Sequence, residues 1–550
     1  MQGRFDGMGV FAATIMNQKY SHDLPDGGKE SWNQIGHRVG TTVLGAVKAS
    51  QTLIDKAVRF IQQRKFIPGG RYLYATGRGY AQTQNCLLLE VEDSREGWAE
   101  LSYKAEMALM TGAGIGVVYS GLREEGAIIR RTGGRSSGPI PKMNIINEIG
   151  RRVMQGGSRR SAIWAGLHWN HPDIHKFIVE KDWSEDIKRL KEKDYNFSAP
   201  LDMTNISVIL DDEFFAAYHD AKHAHHSLAH GVYWATIRHM LETAEPGFSI
   251  DVGENAGEHL RNACCEIVSR DDSDICNLGS INMARITSLE EMREVVEVAI
   301  AFLLAGTVYS EVPYAKVGEV RKKNRRLGLG LMGTHDWLLQ HGRKYAPDAE
   351  LAKYLDIYTT STEVAWRFAD AWGISRPIKT RAVAPTGTIG IVAETTTGIE
   401  PIFCVAYKRR YLKGTVWNYQ YVIDPTAKRL IDAGMSPDQI EDAYTLAEDV
   451  ERRVAFQAWL QQYVDHSISS TINLPAWGSE FNNESRVRSF GEMLLKYLPK
   501  MRGLTCYPDG ARGGQPLTPV SFKTAIRHVG QVFVEATDMC DLTRGGSCGS

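Results

Sequence analysis

The chain has 550 residues, 43% of them hydrophobic and 23% charged, with a formal net charge of −1. This is the composition of a globular protein with a large core, and it excludes a whole-chain pull toward nucleic acid or an anionic membrane surface. No stretch reaches the ~18 uninterrupted apolar residues of a membrane span and no secretory leader is legible, so a cytoplasmic chain with only local phosphate recognition is expected.

Residues 30–65 read as helical, because Val43, Val47, Leu53, Ile54, Ala57, Val58 and Ile61 recur at helical spacing. Pro68-Gly69-Gly70 ends that region. Strand and helix then alternate: 86–91 extended, 98–110 helical, 115–119 extended, 143–154 helical, 162–167 extended, a helix from Pro172, and 206–210 extended. The apolar run 295–308 fits a buried helix. Further on, 327–332 reads as extended, 349–372 as one long helix, and 382–392 as extended and broken by glycines. The pattern closes with 451–463 helical, 469–474 extended, 487–497 helical and 504–507 extended. Segments 182–200 and 219–230, rich in Lys or His, read as surface loops. Such alternation predicts an α/β fold with mostly parallel strands.

The chain has 8 cysteines: Cys86, Cys264, Cys265, Cys276, Cys404, Cys506, Cys540 and Cys548. That is sparse for a disulfide-stapled domain and points to catalysis, redox exchange, metal binding or burial. The most informative segment is Asn262-Ala263-Cys264-Cys265-Glu266, followed by Cys276. If it is extended, Asn262, Cys264 and Glu266 share one face and Cys265 points away. An amide, a thiol and a carboxylate on one face suit hydroxyl binding, redox or nucleophilic chemistry and proton transfer. The spacing lacks a paired Cys-x-x-Cys or a nearby His, so no metal site is assigned. Composition alone favours buried cysteines acting as small hydrophobes.

The Asn-x-Cys-x-Glu frame with a following cysteine resembles the finger loop of ribonucleotide reductases. The resemblance implies a ten-stranded α/β barrel with this loop through its centre, preceded by a short helical region. It implies that Cys264 carries a thiyl radical and abstracts the ribose 3′-hydrogen, that Glu266 deprotonates the 3′-hydroxyl, and that Asn262 hydrogen-bonds the ribose. Cys86, in Gln84-Asn85-Cys86, and Cys276 become the two thiols that supply electrons and end as a disulfide, which needs Cα atoms within roughly 7 Å.

Other segments resemble the same family in order, beginning with Phe66-Ile67-Pro68-Gly69-Gly70-Arg71. Ala384-Pro385-Thr386-Gly387-Thr388 is similar to the family's loop for substrate phosphates, with Asn85 beside it; backbone N–H groups and Thr hydroxyls can cradle phosphate. Arg131 and Arg135 in 131–139 resemble the first specificity loop, and Gln155, Gly156, Ser158, Arg159 and Arg160 the second, where glycine lets backbone approach and Arg forks onto phosphate or base. Gly112–Gly116 is a weak glycine-rich pattern that equally serves close packing, and the glycines of 328–333 read as structural. Cys404 and Cys506 read as structural as well.

The resemblance divides the chain into a helical region 1–70 without an ATP-binding cone, a catalytic barrel 71–535 and a cysteine-bearing tail 536–550. Tail cysteines Cys540 and Cys548 are expected to pass electrons from thioredoxin or glutaredoxin. The radical source is expected to be adenosylcobalamin, because Thr505-Cys506-Tyr507 offers one tyrosine where a partner-dependent relay has two; Tyr507 is the relay candidate if a metal-containing small (beta) subunit supplies the radical instead. The remaining expected partners are a ribonucleotide substrate, a dNTP or ATP specificity effector and a second copy of the chain, with no nucleic acid or membrane. Alternatives are another radical enzyme on the same barrel, similar to pyruvate formate-lyase, and an inactive nucleotide sensor.

Overall fold

A computed structural model describes residues 7–130, 133–153, 161–193, 197–413, 416–511 and 517–534. Five parallel strands, Cys86–Glu90, Gly114–Val118, Ile163–His168, Thr204–Asp211 and Gly247–Asp251, form one half of a ring. The other half runs through Leu278–Asn282, Gly328–Met332, an extended stretch 381–383, Thr471–Leu474 and Gly503–Pro508, again parallel from stave to stave. The halves meet antiparallel at both seams. Gly247–Asp251 pairs with Gly503–Pro508, and Cys86–Glu90 pairs with Asp274–Ile275, which leads straight into Leu278–Asn282. The result is a closed α/β barrel of ten staves, which leaves no long sheet edge.

The period-2 alternation of each strand decides what fills the barrel and what faces the helices outside. Leu87, Leu89, Ile115, Val117, Ile163 and Ala165 point outward and share a core with Leu101, Ala105 and Leu109 of the helix Arg95–Met110. Ser94 caps that helix by accepting from the Gly97 N–H. Leu88, Val118, Trp164 and Ile209 point inward and pack on Leu260, Ala263 and Ile267. Full burial of one such leucine contributes about 2 kcal/mol.

Those last three residues belong to a hairpin, Leu260–Arg261 against Val268–Ser269, that enters the barrel. Glycine makes room for it. A Cβ on Gly116 would lie 2.0 Å from the Arg261 carbonyl oxygen, and one on Gly114 would lie 2.8 Å from Ala263 Cβ. The glycine-rich run 112–116 therefore serves the approach of the hairpin.

The first segment of the chain shares the barrel's core. Ser31 and Gln34 form a capping box at the start of helix Trp32–Gly45, and Gln51–Gln62 packs beside it. Phe66–Pro68 then pairs antiparallel with Leu278–Asn282. The apolar run 295–308 lies within the buried helix Leu289–Tyr309.

Four sequence expectations are corrected. The single helix over 349–372 is two, Ala349–Thr359 and Ser361–Ala371, joined at Thr360. The extended reading of 382–392 holds only to Val383, because Thr386, in the left-handed region at φ 50°, starts the helix Gly387–Ala393. The loop reading of 182–200 misses the helix Glu185–Lys193, and that of 219–230 overlaps the start of His226–Thr243; polar composition there marks a solvated helix face, not a loop. An antiparallel sheet of Ala406–Lys413, Val416–Ile423, Leu517–Pro519 and Val532–Val534 was not anticipated.

Candidate active site

The tip of the barrel hairpin carries Asn262, Cys264 and Glu266. It is a turn and not the extended segment that alternation suggested. The Cys265 N–H donates to the Asn262 carbonyl at 3.0 Å, and Cys265 sits at φ 64°. Asn262 Oδ1 accepts from the Ile267 N–H at 3.0 Å, which ties the two arms together below the tip. The outgoing arm is held to the barrel wall: the Ser467 N–H donates to the Glu266 carbonyl at 2.9 Å, and the Val268 N–H to His466 Nδ1 at 3.2 Å. At the base, fully buried Arg261 donates to the carbonyls of Glu258, Leu260 and Ile250.

This turn places half-buried Cys264 between two cavities. The first, about 300 Å³, is lined by Asn85, Cys86, Cys264, Glu266 and the run from Ala384 to Thr388. Residues read from three separate stretches of sequence as thiol, base and phosphate loop thus face one space. The second, about 260 Å³, is lined by Cys264, Cys265 and Tyr507 among small and hydroxyl side chains such as Ala244, Ser207, Ser469 and Thr505. Cys265 reaches only this second space, so it does turn from the first, through the turn and its left-handed backbone.

In the first cavity Glu266 is 1% exposed, and its Oε2 has no hydrogen-bond partner among the described residues. Burial raises its pKa to about 7, against smaller lowering contributions from its own backbone N–H and the Asn262 amide. Asn262 Nδ2 is likewise unpartnered among the described residues. A hydroxyl group in this cavity is the natural complement of Glu266 Oε2.

Cys86 and Cys276 are unbridged thiols facing each other across the antiparallel seam. The Cys276 N–H donates to the Cys86 carbonyl at 2.8 Å, and the Cys86 N–H approaches Cys276 Sγ at 3.1 Å. Cys276 is fully buried and does not itself line the cavity, and its thiol donates toward Asn85 Oδ1 at 3.6 Å. Burial first, and the neighbouring Cys86 sulfur second, push the Cys276 pKa well up, so it holds its proton. Asn85 thus lines the same space as the phosphate loop while its amide oxygen is used by Cys276.

In the run 384–388, Thr386 Oγ1 accepts from the Gly398 N–H at 2.8 Å, which fixes the loop and leaves its O–H to donate. Arg135 Nη1 donates to the Gly126 carbonyl at 2.8 Å. Arg131, Gln155, Gly156, Ser158, Arg159, Arg160, Cys540 and Cys548 lie outside the described residues. Cys404 and Cys506 are buried, and burial pushes the Cys506 pKa up to about 12. Among the described residues no cluster of His, Cys, Asp and Glu could hold a metal ion, and no helix is long and apolar enough to cross a membrane.

Sequence reasoning missed Tyr20, Gly69, Gly70 and Ser280, all of which line the first cavity. The glycines belong to the 66–71 segment that resembled the family without a role attached. A Cβ on Gly69 would meet the Leu278 carbonyl oxygen at 2.8 Å, and one on Gly70 the Tyr20 hydroxyl at 2.9 Å. No local signal marks Tyr20 or Ser280, which only the fold brings to the site.

The chain matches the family model of the ribonucleotide reductase barrel domain over residues 84–233, 229–368 and 376–499. A vitamin B12-dependent ribonucleoside-diphosphate reductase of Mycobacterium tuberculosis is 27% identical over 96% of this chain and 81% of its own length. One of Thermoplasma acidophilum is 26% identical over 89% of this chain and 69% of its own. A ribonucleoside-diphosphate reductase large subunit of Plasmodium falciparum is 27% identical over 62% of this chain and 48% of its own. Among solved structures, a B12-dependent (class II) ribonucleotide reductase superposes with a TM-score of 0.69 at 17% identity, covering 94% of this chain and 93% of that one.

Proposed function

The chain belongs to the ribonucleotide reductase family and reduces ribonucleotides to 2′-deoxyribonucleotides, and from that premise we propose the roles of its residues. Cys264 holds the thiyl radical and takes the 3′-hydrogen of a ribonucleotide seated in the first cavity. Glu266 accepts the 3′-hydroxyl proton, and the Asn262 amide orients the ribose. One thiol of the Cys86–Cys276 pair gives a proton to the departing 2′-hydroxyl, which leaves as water. The pair gives up two electrons and becomes a disulfide, and the hydrogen on Cys264 returns to the 3′ carbon. Atoms balance: one ribonucleotide and two thiols give one deoxyribonucleotide, one disulfide and water. The observation that carries this reading is the convergence of Cys86, Cys264, Glu266 and the 384–388 loop on one cavity.

Adenosylcobalamin is the radical source in this reading, as the names of the Mycobacterium and Thermoplasma relatives suggest. The second cavity supports the fit. It abuts Cys264, and its walls combine aromatic side chains, Trp164 and Phe248, with polar ones, Asn205, Ser207 and Ser469, which suit a nucleoside-sized group. When bound, the cofactor supplies a one-electron oxidant for the Cys264 thiol by homolysis of its cobalt–carbon bond. Tyr507 borders the same cavity, while its neighbour Cys506 is buried on the opposite face of the strand, so a stacked tyrosine pair is lacking.

The reading extends to the assembly. Helices Arg95–Met110 and Pro139–Arg152 leave an apolar groove lined by Met110, Ile145, Ile149 and Val153, with Met110 60% and Ile145 47% exposed. A second copy of the chain covers it, with specificity nucleotides held by the loops on either side of Pro139–Arg152. Cys540 and Cys548 relay electrons from thioredoxin or glutaredoxin to the Cys86–Cys276 disulfide. The domain division stays as 1–70, 71–535 and 536–550 in this reading.

The radical source is tested by anaerobic assay of deoxynucleotide formation with dithiothreitol, offering ribonucleoside di- and triphosphates. Turnover with adenosylcobalamin alone, retained by Tyr507→Phe, is expected. Turnover only with an added metal-containing small subunit, lost in Tyr507→Phe, would replace the cofactor reading by the relay.

A further inference from the structure

The first cavity is lined by one carboxylate, Glu266, and among the described residues by no Lys, Arg or His. A phosphate group seated on the run 384–388 therefore meets no lining cation there and depends on neutral hydrogen-bond donors. The run itself supplies backbone N–H groups and the hydroxyls of Thr386 and Thr388. A further hydroxyl on the lining comes from outside the barrel strands. It belongs to Tyr20, a residue only 7% exposed.

The packing of two helices brings Tyr20 to the 384–388 run. Tyr20 caps the helix Val10–Lys19, its N–H donating to the Met16 carbonyl at 2.9 Å. Ala12, Ala13 and Met16 of that helix share a core with Ile389, Val392 and Ala393 of Gly387–Ala393, the helix in which the run ends. At the start of the first helix the Gly9 N–H donates at 2.9 Å to Glu394, the residue that ends the second, and Arg64 pairs with the same carboxylate at 3.1 Å. The start of one helix thus lies at the end of the other. Tyr20, at the far end of the first, lines the same cavity as Thr386, Gly387 and Thr388 at the beginning of the second.

Two further features hold the ring there. A Cβ on Gly70 would lie 2.9 Å from the Tyr20 hydroxyl oxygen and 3.3 Å from Cε1, so the missing side chain lets the ring edge through to the cavity. The main chain at Tyr20 is held by a buried ion pair. Arg38 binds Glu30 through Nε at 2.8 Å and through Nη2 at 2.7 Å, and the same guanidinium donates to the carbonyls of Tyr20, Leu73 and Thr76. Leu73 lies in the helix Gly70–Ala75, so this clamp fixes Tyr20 against Gly70.

We propose that Tyr20 is a substrate-binding residue whose O–H donates to the phosphate of the ribonucleotide, which makes the helical segment ahead of the barrel a part of the phosphate site. The proposal rests on the reading of the first cavity as the ribonucleotide site. A phenol suits a wall without cations, because it donates one hydrogen bond to an anion and brings no charge of its own.

The test is equilibrium binding to the full chain of cytidine diphosphate or triphosphate, whichever wild type binds more tightly, and of cytidine in competition with it. Specificity nucleotide is present, and reductant and radical source are left out. Tyr20→Phe removes only the hydroxyl. It is expected to weaken the phosphorylated ligand roughly tenfold or more and to leave cytidine at the wild-type value, whereas a purely structural role would weaken both or neither. Equal affinity of wild type and Tyr20→Phe for the phosphorylated ligand, or an equal loss for cytidine, would overturn the proposal and leave the reading of the cavity standing. Failure of wild type to bind either phosphorylated ligand would overturn both.

Discussion

Glu266 joins burial to chemistry most directly. With burial raising its pKa to about 7, it is poised near working pH for the general-base role proposed for it, in which it must be ionised to act. The acid limb of kcat/KM is expected to rise through about pH 7 and to vanish in Glu266→Gln along with roughly 10²–10⁴-fold of the rate. A pH-independent wild-type rate across pH 6–8 would remove Glu266 from the base role. Stability moves the opposite way. Its folded pKa lies above the unfolded 4.5, so its contribution is fully present below pH 4.5 and is lost as pH rises through 7, to a limit of about 3 kcal/mol. Glu266→Gln is therefore expected to unfold at higher denaturant than wild type at pH 8 and at the same denaturant at pH 4. The thiol pair gives a second residue-scale prediction. One turnover without external reductant should leave one Cys86–Cys276 disulfide per product in a peptide map; Cys276→Ser should form neither disulfide nor product. These residues were legible in sequence because each carries chemistry at a recognisable spacing. Tyr20 and Ser280 were not, since they are single side chains on remote elements that only the closed barrel brings together.

At the scale of elements, alternation of apolar residues located nearly every barrel strand, because a strand between finger and helices is apolar on both faces and stands out from its neighbours. Alternation failed where backbone geometry overrides it. The hairpin tip looks extended by spacing, yet Cys265 adopts a left-handed conformation and closes a turn around Asn262. The 382–392 segment looks like a strand, yet Thr386 turns it into a helix. The hairpin's entry depends on two strand glycines. Gly116→Ala places a methyl group 2.0 Å from the Arg261 carbonyl oxygen, and the neighbouring atoms are backbone that cannot swing aside. It is expected to destabilise by about 1–3 kcal/mol or more and to abolish reduction, whereas Gly79→Ala, with nothing within 4 Å of its added methyl, leaves both unchanged. Wild-type activity in Gly116→Ala would contradict a hairpin packed this tightly.

At the scale of the whole molecule, Cys264 stands between two cavities, which we propose as the substrate space and the radical-source space. That arrangement explains why a single turn of backbone decides so much: it alone exposes one sulfur to two cavities. In the proposed assembly a second copy covers the apolar groove on Arg95–Met110 and Pro139–Arg152, beside the loops proposed to set specificity. Ile145→Asp is expected to sediment as a monomer, with base preference no longer shifted by added dNTP while basal reduction continues; a dimer that keeps its effector response would place the interface elsewhere. The measurement that bears most directly on the account is Cys264→Ser assayed for deoxynucleotide formation beside equilibrium binding of the ribonucleotide. The account predicts no detectable product with ribonucleotide affinity at the wild-type value; product formed by Cys264→Ser would contradict it.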